Sequence, residues 1–204
     1  MKYWFLNICI SGLLCLASTA YANAWLVVGD SISAAYGIAT EEGWVALLEE
    51  RLAEKEPAIQ VINASISGDT TAGGLTRLPA LLNEHEPDWV FIELGGNDGL
   101  RGLPIQQMKE NLRTMIHLSQ QAGAQVMLLG MRIPPNYGAR YSDAFYQSYQ
   151  ELAAEEEIVL MDFFLHQVGD KSHLMQEDGI HPTAQAQPQL LDNIWPLIQQ
   201  ILAR

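Results

Sequence analysis

Near the C-terminus the stretch QEDGIHP, residues 176–182, sets Asp178 and His181 three positions apart in a loop bounded by glycine and proline. A carboxylate that holds an imidazole in one tautomer leaves the opposite ring nitrogen ready to take a proton, which is half of a nucleophile-activating relay. The other half must be an exposed Ser, Thr or Cys. Both cysteines, Cys9 and Cys15, fall in an apolar N-terminal segment that reads as removable, so a thiolate nucleophile and a Cys-based metal site are set aside together.

Ser31 is the best-placed hydroxyl. It follows the apolar run WLVV (25–28) by three positions and stands beside Gly29, where a tight strand-to-helix turn would expose the side chain near helix-start N–H groups. Taken alone, Ser31 reads more readily as a helix cap or turn residue. Two further residues strengthen the chemical reading. Acyl transfer passes through an oxyanion that needs preorganised donors, and Gly68 in NASISGDT and Asn97 in GGND would supply a close backbone N–H and a side-chain amide. Singly these are a turn glycine and an Asx-turn asparagine; together with Ser31, Asp178 and His181 they make the parts of a hydrolase site, with Asp178 orienting His181 and His181 deprotonating Ser31.

Those residues need a frame that brings them to one edge. Apolar runs at 25–28, 59–62, 89–92, 125–129 and 158–161 alternate with helical periodicity at 44–54, 75–84, 105–122 and 141–157. Strands alternating with helices at this spacing predict βαβ units and a parallel sheet covered on both faces. A last helix is expected over 183–204, with Pro188 near its start and a kink at Pro196. In such a sheet the working groups lie on loops past the carboxyl ends of the strands, and Ser31, Gly68 and Asn97 each follow a predicted strand closely. The loops 99–104 (GLRGLP) and 132–138 (RIPPNYG) combine apolar side chains with Gly or Pro, which suits a substrate rim; Leu100, Ile133 and Pro134 are the candidate acyl contacts.

Composition bounds the rest. With 204 residues and 49% hydrophobic content, one well-cored domain over 25–204 is expected. Residues 1–24 show Lys2, an uncharged apolar run and the small-residue ending Ala22-Asn23-Ala24, the layout of a signal peptide cut after Ala24. The mature chain then carries 10 cations against 24 acids, a charge of −14. Such a field opposes nucleic acid and anionic membrane surfaces as partners and leaves a small molecule as the expected one.

The four blocks resemble those of the SGNH hydrolases, also called GDSL esterases and lipases: GDSIS at 29–33, Gly68 in NASISGDTT, Asn97 in ELGGNDGLRG, and DGIH at 178–181. The likeness runs over essentially the whole mature chain and is strongest to the periplasmic thioesterase, lysophospholipase and arylesterase branch. Ile32 replaces the leucine of the family's name, a near-isosteric change. The resemblance implies a three-layer α/β/α sandwich of flavodoxin-like topology on a five-stranded parallel sheet, no cofactor, a monomer in the periplasm without stable membrane insertion, and cleavage of acyl esters and thioesters. It also implies that the Ser31 N–H joins Gly68 and Asn97 in the oxyanion hole. No counterpart is found for 163–171.

Rival readings weigh less. His166, His173, Asp178 and His181 could form a zinc cluster, but their spacing fits no zinc motif. A flavin module lacks a phosphate fingerprint after the first strand. A carbohydrate O-deacetylase would use the same blocks and differ only in its pocket; a binding protein with a vestigial triad would not need the complete residue set. His85 and His117 sit on predicted helices as surface or partly buried groups.

Overall fold

The computed structural model describes residues 23–203. Five strands, β1 (Asn23–Gly29), β2 (Ile59–Asn63), β3 (Trp89–Glu93), β4 (Gln125–Leu129) and β5 (Val159–Met161), form one parallel sheet in the order β2-β1-β3-β4-β5. Six helices connect and flank them: α1 (Trp44–Ala53), α2 (Thr71–His85), α3 (Gly96–Leu100), α4 (Ile105–Gln121), α5 (Ala139–Glu155) and α6 (Gln187–Leu202). The predicted leader lies outside the described residues apart from Asn23 and Ala24, which begin β1 opposite Ile59 and Gln60.

Right-handed crossovers explain the layers. The chain steps outward from β1 to β2 through α1, then reverses across β1 to β3 through α2, so these two helices must lie on opposite faces. Packing agrees, with α1 against α6 on one side and α2 against α4 and α4 against α5 on the other. β1 and β3 are apolar along almost their whole length because both faces are covered. Leu26, Val90, Phe91 and Leu128 are fully buried in the sheet, and Trp44, Leu48, Tyr149 and Ile194 close over it from the helices.

Two expectations need adjusting. The final segment is not helical from 183; a turn of 3-10 helix at Ala184–Ala186 precedes α6, which has a proline in its first turn and passes Pro196 without interruption. The short helix α3 escaped the periodicity reading, since five residues with two glycines are too few to show an amphipathic repeat.

The chain reverses direction between β1 and β3, the switch point at which α/β sheets open a crevice beyond their strand ends. Ser31 follows β1 and Asn97 follows β3, so the topology alone brings them to that crevice.

Candidate active site

Ser31 is reached through a constriction. At Gly29 a Cβ would stand 2.7 Å from Ser33 Cβ and 2.9 Å from Glu93 Oε2, so only glycine lets the chain pass there. The chain then turns, with the Ala34 N–H donating to Asp30 O at 3.0 Å and the Tyr36 N–H to Ser31 O at 3.0 Å. The expected helix does not start here. Residues 31–37 are successive turns and α1 begins only at Trp44, because Ala35 (φ 57°) and Gly37 (φ 77°) adopt left-handed backbone that ends helical propagation.

His181 Nε2 lies 2.9 Å from Ser31 Oγ, and its Nδ1 lies 2.6 Å from Asp178 Oδ2. The other Asp178 oxygen accepts the N–H groups of Ile180 and His181 at 2.9 and 3.0 Å. These bonds, that from the His181 ring foremost, pull the Asp178 carboxyl down to about 2, so it is ionised at any working pH. Gln176 fastens this loop to the Ser31 turn: its N–H donates to His181 O at 2.7 Å, and its side-chain amide to Tyr36 O at 2.8 Å and Pro182 O at 3.0 Å. The Tyr36 ring packs on the imidazole with centroids 4.5 Å apart.

Asn97, near the start of α3, donates through Nδ2 to Asp30 Oδ2 at 2.9 Å. One amide N–H is thereby engaged and the other is left for a ligand. Arg101 Nη2 donates to Gly68 O at 2.8 Å and makes a long 3.5 Å contact with Asn97 Oδ1, tying together the two residues expected to stabilise an oxyanion. Gly68 holds φ +80°, where an L side chain is strained, and an added Cβ would have only Arg101 Nη2 nearby, at 3.8 Å. Its loop is held to β1 by the Ile66 N–H on Gly29 O, and by Arg77, which pairs with Asp69 at 2.8 Å and donates to the carbonyls of Ala64 and Gly29.

Sequence reasoning missed the acid pair beneath the nucleophile. Asp30 is buried, accepts from the Ile32 N–H and Asn97, and is pushed up to about 6, chiefly by burial. Glu93, fully buried at the end of β3, accepts from Ser33 Oγ at 2.8 Å and the Asp30 N–H at 3.3 Å. Burial first and the Asp30 charge second raise it well above the ordinary range, so Glu93 is held as the neutral acid. The available signal was a glutamate closing the apolar run of β3.

A cavity of about 440 Å³ opens at this point. Asp30, Ser31, Asn97 and His181 form its polar end; Leu100, Ile133 and Pro134 are among its lining residues, with Met131, Phe163, Leu165 and Ile180. Residues 163–171, which matched nothing in the sequence reading, therefore contribute to the wall. His166 and His173 do not gather with Asp178 and His181: among the described residues no three potential metal ligands converge. His117 is exposed and paired with Glu156 at 2.6 Å, and His85 is half-buried at the end of α2.

A hydroxyl, an imidazole and a carboxylate in line beyond the strand ends of a parallel sheet have the geometry by which a serine hydrolase activates its nucleophile. The chain belongs to the GDSL-like lipase/acylhydrolase family, which it matches over residues 27–187, and it is a hydrolase of that family. It is 52% identical over 202 residues to the esterase TesA of Pseudomonas aeruginosa, covering 99% of this chain and 100% of that one. It is 45% identical over 189 residues to thioesterase 1/protease 1/lysophospholipase L1 of Escherichia coli K12, covering 93% and 89%. The crystal structure of the psychrotrophic esterase EstA from Pseudoalteromonas, inhibited by monoethylphosphonate, superposes with a TM-score of 0.85 at 46% identity over 89% of this chain and all of that one.

Proposed function

We propose that the mature chain, one domain from Trp25, is an exported serine esterase and thioesterase that removes medium to long acyl groups from small amphiphiles such as acyl-CoA, lysophospholipid or aryl esters. The observation that carries this is the 2.9 Å contact of His181 Nε2 with Ser31 Oγ at the mouth of an apolar cavity. Ser31 Oγ attacks the acyl carbonyl carbon as His181 takes its proton, with Asp178 balancing the charge formed on the ring. The oxyanion meets the N–H groups of Ser31 and Gly68 and the free N–H of Asn97. Collapse expels the alcohol or thiol, which leaves with the proton from His181, and water then attacks the acyl-enzyme by the same relay. No cofactor enters any step. Leu100, Ile133 and Pro134 hold the acyl chain, and the apolar wall favours this reading over a carbohydrate deacetylase, whose acetyl group needs no such depth. Export to the periplasm is supported by the leader pattern, and among the described residues no helix is long and apolar enough to cross a membrane.

The test is a fluorophosphonate probe with intact-mass readout on wild type and Ser31→Ala, followed by p-nitrophenyl acetate, a long-chain p-nitrophenyl ester and palmitoyl-CoA. Labelling of wild type alone with preference for the long chains is expected. Acetate preference would move the assignment to deacetylase, and absence of labelling would rule out the serine nucleophile.

A further inference from the structure

Five large hydrophobic side chains are exposed among the described residues: Tyr36, Ile66, Leu103, Tyr137 and Ile180. Each stands in the connection that follows a different strand, β1 to β5 in turn, Leu103 coming after the short helix α3 and Tyr137 closing a turn of 3-10 helix. The four return loops at the other edge, 54–58, 86–88, 122–124 and 156–158, carry none; they hold six acids and one cation. Single exposed apolar residues are ordinary, but their confinement to one pole of an acidic molecule is not a random scatter.

The rim is continuous with the catalytic centre. Tyr36 packs on His181, Ile180 lines the cavity, and Tyr137 Oη donates to Leu100 O at 2.9 Å, which joins the loops after β3 and β4. Ile66 lies two residues from Gly68, on the loop held to Gly29. Exposed Arg101 and Arg132 share these loops, Arg132 3.7 Å from Asp162, and exposed acids such as Glu41, Glu42, Asp170 and Glu177 stand there too, so this pole is acidic like the other.

We infer that this rim docks reversibly on a zwitterionic phospholipid surface, with the cavity mouth facing the lipid. The inference rests on the acyl-hydrolase reading for its occupant: an acyl chain that enters the cavity from an aggregate passes from one apolar medium to another without crossing water. A folded protein partner on the same rim would block the mouth of the cavity. The acidic charge of the chain, present on the rim loops as well as the return loops, works against an anionic surface and leaves a zwitterionic one as the surface an apolar rim can meet.

The experiment is co-sedimentation with phosphatidylcholine vesicles, using full mature protein carrying Ser31→Ala so that no hydrolysis intervenes, with and without Ile66→Ser and Leu103→Ser. Neither side chain lines the cavity. Binding to these vesicles, weaker binding to phosphatidylglycerol vesicles, and a partition coefficient about tenfold lower in the double substitution are expected. With Ser31 retained, the double variant should hydrolyse monomeric p-nitrophenyl acetate at the wild-type rate and lose rate only on aggregated long-chain substrate. Failure of the parent protein to bind, or equal binding by the double variant, overturns the inference. So does self-association that the double variant abolishes without vesicle binding, which would give the rim to a second copy. Because the vesicle assay uses inactive protein, it stands apart from fluorophosphonate labelling: docking without labelling would remove the serine mechanism and leave the surface, and labelling without docking the reverse.

Discussion

Asp178→Asn separates the roles of the acid most sharply. The asparagine carbonyl can still accept the N–H groups of Ile180 and His181 that Asp178 now holds at 2.9 and 3.0 Å, so the loop keeps its shape. The amide, however, places an NH₂ against His181 Nδ1, where a carboxylate oxygen stood at 2.6 Å. A donor there favours the tautomer whose proton sits on Nε2. That nitrogen then points a donor, not an acceptor, at Ser31 Oγ across 2.9 Å, and the base is lost. The expected fall in kcat is of order 10⁴, equivalent to about 5.4 kcal/mol of transition-state stabilisation at 1.36 kcal/mol per tenfold. KM should change by less than about threefold, since Asp178 itself does not line the cavity. Thermal stability should barely move, because the carboxylate side chain is 38% exposed and solvent screens its pairing. Steady-state kinetics on a soluble p-nitrophenyl ester, with Tm measured beside them, decide the matter. A variant within tenfold of wild type would refute the tautomer argument.

Three other substitutions probe the surroundings. Asn97→Ala removes one oxyanion donor and should lower kcat by about 10²–10³ with little effect on KM; it also strips Asp30 of a hydrogen bond that stabilises its charge, and a KM effect larger than the kcat effect would argue for ground-state binding instead. Gly68→Ala meets no close neighbour but places a side chain at φ +80°, so a stability loss of about 1–2 kcal/mol in chemical denaturation and roughly a tenfold fall in kcat, from a displaced backbone N–H, are expected; unchanged kcat would show that the N–H keeps its aim with a side chain present. Glu93→Gln mimics the neutral acid. An ordinary glutamate ionises near 4.5 whereas buried Glu93 keeps its proton far higher, so wild-type stability declines as pH rises above 4.5 and the glutamine variant escapes that decline. The Tm of the variant relative to wild type should therefore climb as pH rises above about 4.5, and a pH-independent difference would show that Glu93 is ionised in the folded protein.

Much of this molecule is written locally in its chain. β4 runs over the predicted residues 125–129, and α1, α4 and α5 match their periodic segments to within two residues at each end, because an apolar run or a 3.6-residue stripe is a property of neighbours in sequence. The candidate site was legible for a different reason. Acyl transfer needs a hydroxyl, a base, an acid and preorganised donors, and only a few residues in loops after strands could serve. Those types at those places named Ser31, Gly68, Asn97, Asp178 and His181 without any knowledge of distances.

What tertiary structure decided are the contacts between residues far apart in the chain. The bond from Ser31 to His181 spans 150 positions, and that from Asp30 to Asn97 spans 67. No local pattern encodes which amide proton Asn97 commits to Asp30 or that Arg101 links it to Gly68. The burial that raises Asp30 and Glu93 exists only once β1 and β3 pair side by side under their helices. The turns at 31–37, where a tight strand-to-helix turn was expected, are held by the same means: Ser33 donates to Glu93 and Trp44 Nε1 donates to Ser33 Oγ at 3.1 Å, so the nucleophile's loop is fixed by buried partners distant in the chain. Sequence names groups by their chemistry; burial and distance, which set their charge and aim, come into being only when the sheet closes.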